Sequence, residues 1–233
     1  MEKRRDSATA YIILADGFET IEALTPLDVL RRCGVEVTTI SLNKTRAVRS
    51  SHGVTVEADA TMEEYMLKRS NAGSSSSVSS ASCGTNTSNA GTSSSAGSST
   101  TASSANTTAG SCLRQALILP GGYPGYKNLC ESPEVGALIT QFYKEGKLLC
   151  AICGAPTALK ANQICRGAAI TCHTSVKEEL SDYYSILSSA VVKYMNIITG
   201  MGAGRSLEFA FAIAEALTSK EKVEEIKAKM EII

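Results

Sequence analysis

The sequence predicts an α/β protein whose mostly parallel sheet is covered by helices on both faces. Apolar runs that are typical of strands alternate along the chain with segments of helical periodicity. The runs are continuously apolar, as expected for parallel strands buried on both faces. A flavodoxin-like or Rossmann-like three-layer sandwich fits better than a barrel, because the roughly 190 residues outside a Ser-rich tract are few for eight strand–helix units.

The first part of the chain predicts three strands and one helix. "AYIILADGFE" is an apolar run that enters a loop at Asp-Gly, and "TIEALTPLDVLRRCG" has helical spacing at Ile21, Leu24, Leu27 and Leu30. Two arginines and a glycine at the end of this segment indicate where the helix ends. Two further strands are predicted at "VEVTTISL" (35–42) and "VTVEAD" (54–59).

The second part of the chain continues the alternation. Ser132 followed by Pro133 predicts a capped helix that runs through Lys144. Helices are also predicted from "PTALKA", from "SLEFAFAIAEAL" and from residues 220–230. The predicted strands are "ALILPGG", "KLLCAI", "AAITCH" and "YMNIITG".

Residues 72–112 consist almost wholly of Ser, Gly, Ala, Thr and Asn. Such a tract has too few apolar residues to offset the entropy lost on ordering, so we expect a disordered insertion. A long insertion costs little loop-closure entropy. We therefore predict a single domain over residues 1–233, interrupted at about 72–112 by either an inert spacer or a phosphorylatable regulatory segment.

Composition argues against several partners. The formal net charge is zero and the pI is about 6.7, which gives no electrostatic basis for binding nucleic acid or an anionic membrane. No apolar run approaches the roughly 20 residues of a membrane span, and the charged N-terminus leaves no room for a signal peptide. The eight cysteines are therefore expected to be reduced thiols in a cytoplasmic protein.

Four predicted strands end in residues that can do chemistry. In open α/β sheets the functional crevice lies beyond the carboxyl ends of the strands. An acid, a Gly-Gly turn, a thiol and an imidazole meeting there would form a candidate active site. The residues at these ends are Asp16, Gly17 and Glu19; Gly121 and Gly122; Cys153 and Gly154; and Cys172 and His173.

The segment "LLCAICGAPTAL" places two cysteines three residues apart. If residues 147–152 are extended, the Cα atoms of Cys150 and Cys153 are about 10 Å apart, beyond the roughly 7 Å that a disulfide allows. No second Cys or His pair completes a zinc site. Cys150 is predicted to be packed in the core. Cys153 is predicted to be a reactive thiol on a strand-to-helix turn, where backbone N–H groups lower its pKa and can hold an oxyanion.

Matching motifs cover nearly the whole chain outside the Ser-rich tract. They are "ILADGFETIEALTPLDVLRRCGVEVT", "LILPGGYPGYKNLCESPEV", "GKLLCAICGAPTAL" and "GAGRSLEFAFAIAEAL". With these motifs the chain resembles the DJ-1 branch of the DJ-1/ThiJ/PfpI superfamily. The resemblance implies a flavodoxin-like fold, a homodimer and no cofactor or metal.

The resemblance also implies roles for individual residues. It places the nucleophile at Cys153, the pocket histidine at His173 and the oxyanion amides at Gly122 and Gly154. Gly121 and His52 are assigned to substrate binding, and His52 stands where close relatives usually have an arginine. The acid is assigned to Glu19, although spacing alone allows Asp16 or Glu22 equally well.

The predicted function is a cofactor-free glyoxalase III or protein deglycase that acts on methylglyoxal-type dicarbonyls or their protein adducts. The alternative is a cysteine-based oxidative-stress sensor or redox-regulated chaperone without turnover. A cysteine protease or glutaminase fits poorly, because Gly154 follows the cysteine directly and His173 is followed by Thr174 and Ser175.

Overall fold

A computed structural model of the chain describes residues 8–74 and 114–232. The strands are β1 (Thr9–Leu14), β2 (Glu36–Ser41), β3 (Ala47–Arg49), β4 (Thr55–Glu57), β5 (Ala60–Thr61), β6 (Gln115–Leu119), β7 (Leu148–Ile152), β8 (Ala169–Ile170), β9 (Ser185–Ile186), β10 (Val191–Tyr194) and β11 (Ile197–Gly200). The helices are α1 (Thr20–Arg32), α2 (Met62–Ser74), α3 (Gly125–Glu131), α4 (Pro133–Lys144), α5 (Pro156–Ala161), α6 (Lys177–Ser181), α7 (Ser206–Leu217) and α8 (Lys220–Lys229).

The main sheet contains seven strands in the order β10-β11-β7-β6-β1-β2-β5. Its neighbouring strands are parallel except β10 and β11, which form an antiparallel hairpin at one edge. The carboxyl ends of β1, β6 and β7 therefore lie side by side at the centre of one sheet edge. This arrangement brings the turns after these three strands together, as the sequence predicts.

Helices cover both faces of the sheet. Along β1, Ile12 and Leu14 face the layer that contains α1, α7 and α8, whereas Ile13 faces the layer that contains α4 and α5. This alternation follows from the two-residue period of a strand and explains why the run is apolar throughout. The predicted three-layer α/β fold is confirmed.

Helix ends agree with their sequence signals. The Ser132 hydroxyl accepts from the backbone N–H of Val135 at 3.2 Å and caps α4. At the end of α1, Gly34 has φ +80°, a conformation that glycine adopts without steric cost. These local signals set the directions in which the helices leave the sheet.

Three parts of the chain differ from the sequence expectation or lie outside the described residues. "AAITCH" forms only the two-residue β8, which pairs with β9 in a separate sheet rather than joining the main one. The short strand predicted at 54–59 is β4, which pairs with β3 in a second small hairpin. Helix α2 continues three residues into the predicted insertion, and the rest of that insertion falls in 75–113, outside the described residues.

Within residues 8–74 and 114–232, no helix is long and apolar enough to cross a membrane. The six cysteines of this part are all free thiols, and none of the described His, Cys, Asp and Glu side chains form a group of three that could hold a metal ion. The cytoplasmic location and the single-domain organisation stay predictions.

Candidate active site

Cys153 lies on the turn between β7 and α5, with an unusual backbone conformation. Its φ is +64°, in the left-handed region that non-glycine residues rarely adopt. The Cys153 N–H donates to the carbonyl of Gly200 at 3.0 Å, and its own carbonyl accepts from the N–H of His173 at 2.9 Å. Strained conformations of this kind are held by surrounding structure and cluster at functional sites.

Two glycines allow the neighbouring backbone to approach the thiol closely. A Cβ built on Gly121 would lie 2.7 Å from the Cβ of Cys153 and 2.6 Å from Oε2 of Glu22. A Cβ built on Gly154 would lie 2.7 Å from the ring of Tyr126. Any larger residue at either position would push apart the groups around the sulfur.

The half-buried Cys153 sulfur has three hydrogen-bonding neighbours in the described structure. The backbone N–H groups of Gly122 and Gly154 donate to it, and the carboxyl group of Glu22 shares a hydrogen bond with it. The structure therefore brings both predicted oxyanion amides to the sulfur. An oxygen that develops on a carbon bound to Sγ would lie close to the same two donors.

Glu22 lies in the first turn of α1 and is fully buried. Its Oε2 accepts from the Gly121 N–H at 2.8 Å, whereas Oε1 has no hydrogen-bond partner within the described residues. Burial raises the pKa of Glu22 to about 7, while its bonds to Cys153 and Gly121 act in the opposite direction. This carboxyl group can therefore take up or release a proton near neutral pH.

The acid beside the thiol is Glu22 and not the predicted Glu19. Glu19 is the N-cap residue of α1, where its Oε2 accepts from the backbone N–H of Glu22 at 2.7 Å. Its backbone N–H also donates to the carbonyl of Gly121 at 2.9 Å. Glu19 thus fixes the start of the helix, and the side chain that reaches the sulfur comes from the next turn.

Asp16, the other acid that spacing allowed, lies outside this cluster. It is exposed, and its Oδ1 accepts from the side-chain amide of Asn43 at 3.0 Å and from the Arg49 N–H at 2.8 Å. These bonds hold the loop after β1 to the chain that follows β2. The carboxylate of Asp16 therefore stabilises this loop and does not contact the thiol.

The pattern of buried residues along α1 distinguishes Glu22 from Glu19. The structure buries Glu22, Pro26 and Val29, a stripe with the i, i+4, i+7 spacing of one helix face. Ile21, the first of the apolar residues with helical spacing in the sequence, is 52% exposed. An acid on the same stripe as buried residues is the one that faces the core.

His173 contributes to the site through its backbone. Its N–H bond to the Cys153 carbonyl fixes the turn, while its exposed ring caps a short 3₁₀ turn, with Nδ1 accepting from the Ser175 N–H at 3.2 Å. The Ser175 hydroxyl also lies 2.8 Å from Nδ1. The structure gives a positioning role to this residue, and a catalytic role for its imidazole stays a prediction.

His52 lies in the exposed turn between β3 and β4. Its Nδ1 is 3.1 Å from the hydroxyl of Ser51, whose backbone N–H donates to the carbonyl of Phe18 at 2.9 Å. This bond places the turn next to the segment that leads into α1. The predicted role of His52 in substrate binding stays a prediction.

The pKa of the Cys153 thiol differs in direction from the sequence expectation. Burial raises it to about 12, and the charge and hydrogen bond of Glu22 act in the same direction, while the N–H groups of Gly122 and Gly154 lower it. The carboxylate's contributions disappear when Glu22 is protonated. The thiolate therefore forms most easily when the proton of the pair is on Glu22.

Cys150 is enclosed in the core, as the packing interpretation predicts. It is in the middle of β7, is 0% exposed, and its pKa is raised by burial. Cys153 alone of the two is accessible and surrounded by polar groups. The Cys-x-x-Cys segment thus contains one packing residue and one candidate nucleophile.

The family model described as "DJ-1/PfpI family" matches residues 8–216 of the chain. The chain belongs to the DJ-1/PfpI family. Protein dj-1beta of Drosophila melanogaster is 31% identical over 221 residues, which cover 94% of this chain and 95% of that protein. The crystal structure of Drosophila melanogaster DJ-1beta matches with a TM-score of 0.74 and 31% identity, over 97% of this chain and 99% of that one.

A second DJ-1/PfpI relative has a name that states an activity. Glutathione-independent glyoxalase DJR-1.2 of Caenorhabditis elegans is 40% identical over 107 residues, which cover 46% of this chain and 56% of that protein. Glyoxalase-type enzymes therefore occur among the relatives. In this DJ-1/PfpI chain, a thiol, a carboxyl group and two amide donors can support nucleophilic attack on a carbonyl carbon together with short-range proton transfer.

Proposed function

We propose that the protein is a cofactor-free glyoxalase that converts methylglyoxal-type dicarbonyls into 2-hydroxy acids. The observation that carries the proposal is the hydrogen-bonded pair of Cys153 and Glu22, with the N–H groups of Gly122 and Gly154 directed at the same sulfur. A nucleophile, a proton carrier and two oxyanion donors are the groups that this reaction requires.

The reaction begins at the thiol. Its proton moves to Glu22, and the thiolate forms a bond to the aldehyde carbon while the carbonyl π bond breaks. The new oxyanion accepts hydrogen bonds from Gly122 and Gly154, then takes the proton from Glu22 to give a hemithioacetal. Glu22 is left as a carboxylate beside the former aldehyde carbon.

The next steps move a proton between the two carbons of the substrate. Glu22 removes the C–H proton of the hemithioacetal, and the electron pair moves toward the ketone to give an enediolate. The hydroxyl proton on the former aldehyde carbon passes to the ketone oxygen, and the proton held by Glu22 is delivered to the former ketone carbon, which gives a thioester. Water then attacks the thioester, the C–S bond breaks, and lactate and the free thiol are released. One carbon is oxidised and its neighbour is reduced, so the balance needs only water.

Lactate formation from methylglyoxal by wild type and Cys153→Ala tests this proposal. We expect measurable turnover by the wild type and none by the variant, because the variant cannot form the C–S bond. Cys130→Ala is the matched thiol control, since Cys130 is also half-buried but lies on α3 against the carbonyl of Thr157. Unaltered turnover by Cys153→Ala would overturn the mechanism.

The proposal extends to protein adducts in which the aldehyde carbon is held as a hemiaminal or hemithioacetal. The Cys153 sulfur would then displace the amine or thiol, which takes the proton from Glu22, and the same enzyme-bound hemithioacetal would form. Release of free lactate and of unmodified amine from a methylglyoxal-treated peptide would show deglycase activity. Comparing its rate with the rate at which the adduct dissociates by itself separates adduct cleavage from removal of the free aldehyde. A rate limited by spontaneous dissociation would restrict the substrate to free dicarbonyls.

The alternative function, a redox sensor, is favoured by the same donors. Peroxide would transfer one oxygen to the thiolate to give a sulfenate and water, and a second peroxide would give a sulfinate and water. The N–H groups of Gly122 and Gly154 and a protonated Glu22 would donate to the sulfinate oxygens. Addition of two oxygen atoms at Cys153 in the intact mass, without lactate formation, would favour the sensor over the enzyme.

We also propose that the protein is a homodimer, as its family resemblance implies. Ile21 on α1 and Leu207 on α7 are 52% and 41% exposed, and both line one groove of about 530 Å³ between these helices. Sedimentation equilibrium should give twice the chain mass for the wild type. It should give a weaker association for Leu207→Asp, with Leu187→Asp as an exposed control outside this groove.

A further inference from the structure

Two tyrosines lie at the turn after β6, beside the candidate active site. Tyr123 follows Gly122 directly and is 69% exposed, whereas Tyr126 lies in the first turn of α3 and is half-buried. Their ring centroids are 6.3 Å apart and the rings are tilted by 58°. The pair leaves the ring of Tyr123 open to a further aromatic group.

Both rings are linked to the amides that bind the sulfur. Tyr123 is the residue after Gly122, whose N–H donates to Sγ of Cys153. The ring of Tyr126 packs against Gly154, whose N–H is the second donor. The Tyr126 N–H also donates to the Gly122 carbonyl at 2.9 Å, so the backbone of Tyr126 is bonded to the residue that carries the other amide donor.

We propose that the Tyr123–Tyr126 pair makes the enzyme selective for aromatic 2-oxoaldehydes, of which phenylglyoxal is the simplest. This proposal requires that, with the aldehyde carbon bound to Cys153 and its oxygen at the two amides, the substituent on the neighbouring carbon lies against the tyrosine rings. Aromatic rings favour offset and edge-to-face contacts with one another. This inference rests on the proposed glyoxalase function and names its substrate class.

The reaction on phenylglyoxal is the one already described. The thiol adds to the aldehyde, the C–H proton moves by way of Glu22 to the carbon that carries the phenyl group, and water releases mandelate. The phenyl group takes no part in bond making or breaking. Its contact with the tyrosines therefore changes binding and orientation without changing the chemical balance.

The turnover test compares kcat/KM for phenylglyoxal and methylglyoxal. A contact between two aromatic rings corresponds to a change of about three- to tenfold in this ratio. We expect Tyr123→Ala to lower the ratio by that factor, mainly through the KM of phenylglyoxal, and Tyr123→Phe to retain it. Tyr194→Ala, which removes an exposed tyrosine from β10, should leave the ratio unchanged.

A matched aliphatic substrate separates aromatic recognition from general apolar contact. Cyclohexylglyoxal has a substituent of similar size without a π system. A wild-type preference for phenylglyoxal over cyclohexylglyoxal that disappears in Tyr123→Ala supports the proposal. Equal kcat/KM values for these two substrates, or an unchanged phenyl-to-methyl ratio in both Tyr123→Ala and Tyr126→Ala, would overturn it.

A second measurement does not depend on turnover. Phenacyl bromide and bromoacetone alkylate a thiol by displacement of bromide and differ only in a phenyl or methyl group. The ratio of their rates at Cys153, followed by peptide mass and divided by the ratio for N-acetylcysteine, should exceed one and should fall in Tyr123→Ala. A normalised ratio of one in the wild type would contradict aromatic recognition at this site.

The two measurements distinguish failure of the inference from failure of the proposed function. If neither dicarbonyl yields a hydroxy acid but the alkylation ratio depends on Tyr123, the glyoxalase proposal fails and aromatic recognition at the thiol stands. If both are turned over and neither ratio depends on the tyrosines, the glyoxalase proposal stands and this inference fails.

Discussion

The carboxyl group of Glu22 and the thiol of Cys153 form a buried hydrogen-bonded pair, although one comes from the first turn of α1 and the other from the turn after β7. Burial raises the pKa of each group, because each is less stable as an anion away from water. Two adjacent anions are disfavoured, so the pair retains at least one proton around neutral pH. The position of that proton decides whether the sulfur is a nucleophile.

This arrangement predicts different effects for two isosteric substitutions in the same segment. Glu22→Gln removes the group that accepts the thiol proton, so kcat/KM for methylglyoxal should fall by about 10²- to 10⁴-fold. Glu19→Gln keeps a side-chain oxygen that can cap α1, and activity should stay within a few-fold of the wild type. The mechanism would be wrong if Glu19→Gln lost activity while Glu22→Gln retained it.

The pKa of Glu22 also predicts how stability depends on pH. Folding raises this pKa from 4.5 to about 7, so the folded state holds the proton more tightly than the unfolded state. The stability contributed by this group is fully present below pH 4.5 and is lost as the pH rises through 7. Between pH 5 and 8 the loss amounts to about 2 kcal/mol of unfolding free energy.

Glu22→Gln isolates this contribution, because glutamine resembles the protonated acid and does not titrate. Urea unfolding of wild type and Glu22→Gln at pH 5 and at pH 8 should show that the variant becomes more stable relative to the wild type as the pH rises. The difference between the two proteins cancels the other titrating groups. A difference that is constant from pH 5 to 8, or that changes in favour of the wild type, would contradict the raised pKa.

The sequence was sufficient for the residues whose roles depend on backbone turns. Cys153, Gly122 and Gly154 lie within three residues of the ends of apolar strands, so their place at the carboxyl edge of the sheet follows from the strands themselves. The acid depended on the rotation of α1. Ile21, Leu24, Leu27 and Leu30 suggested one face, but the buried residues of this helix are Glu22, Ala23, Pro26, Val29 and Leu30.

The segment before His173 shows a second feature of the fold that the local sequence does not predict. "AAITCH" is apolar enough to be a central strand, yet only Ala169 and Ile170 form a strand, and they pair with β9. Edge hairpin β10–β11 occupies the sheet position next to β7 instead. The choice between these segments depends on long-range pairing, which local periodicity does not encode.

Glycine substitutions provide a structural test that does not depend on the chemistry. Gly122 has φ +89°, and a Cβ there would lie 2.3–2.5 Å from backbone atoms of the segment 17–19. Gly34 has φ +80° but nothing within 4 Å of its added Cβ. Gly34→Ala should therefore cost about 1–2 kcal/mol of unfolding free energy through backbone strain alone.

Gly122→Ala should cost clearly more than Gly34→Ala, because the backbone of the loop after β1 must move in addition. Thermal and urea unfolding of both variants measure this difference. The displaced segment includes Glu19, which caps α1, so the variant should also lose methylglyoxal turnover. Equal destabilisation by the two substitutions would mean that the close approach at Gly122 is not a packing constraint.

The contrast between Cys150 and Cys153 predicts their relative rates of alkylation. Cys150 is 0% exposed in the middle of β7, so iodoacetamide reaches it only when the protein unfolds. Its labelling rate should rise steeply with urea, in parallel with the unfolded population. Cys153 is half-buried at the sheet edge and should be labelled in the native state at a rate that low urea concentrations leave unchanged. Peptide mass spectrometry over a urea series measures both rates in one sample, and urea-independent labelling of Cys150 would show that β7 is open to solvent and that the two cysteines are not distinguished by burial.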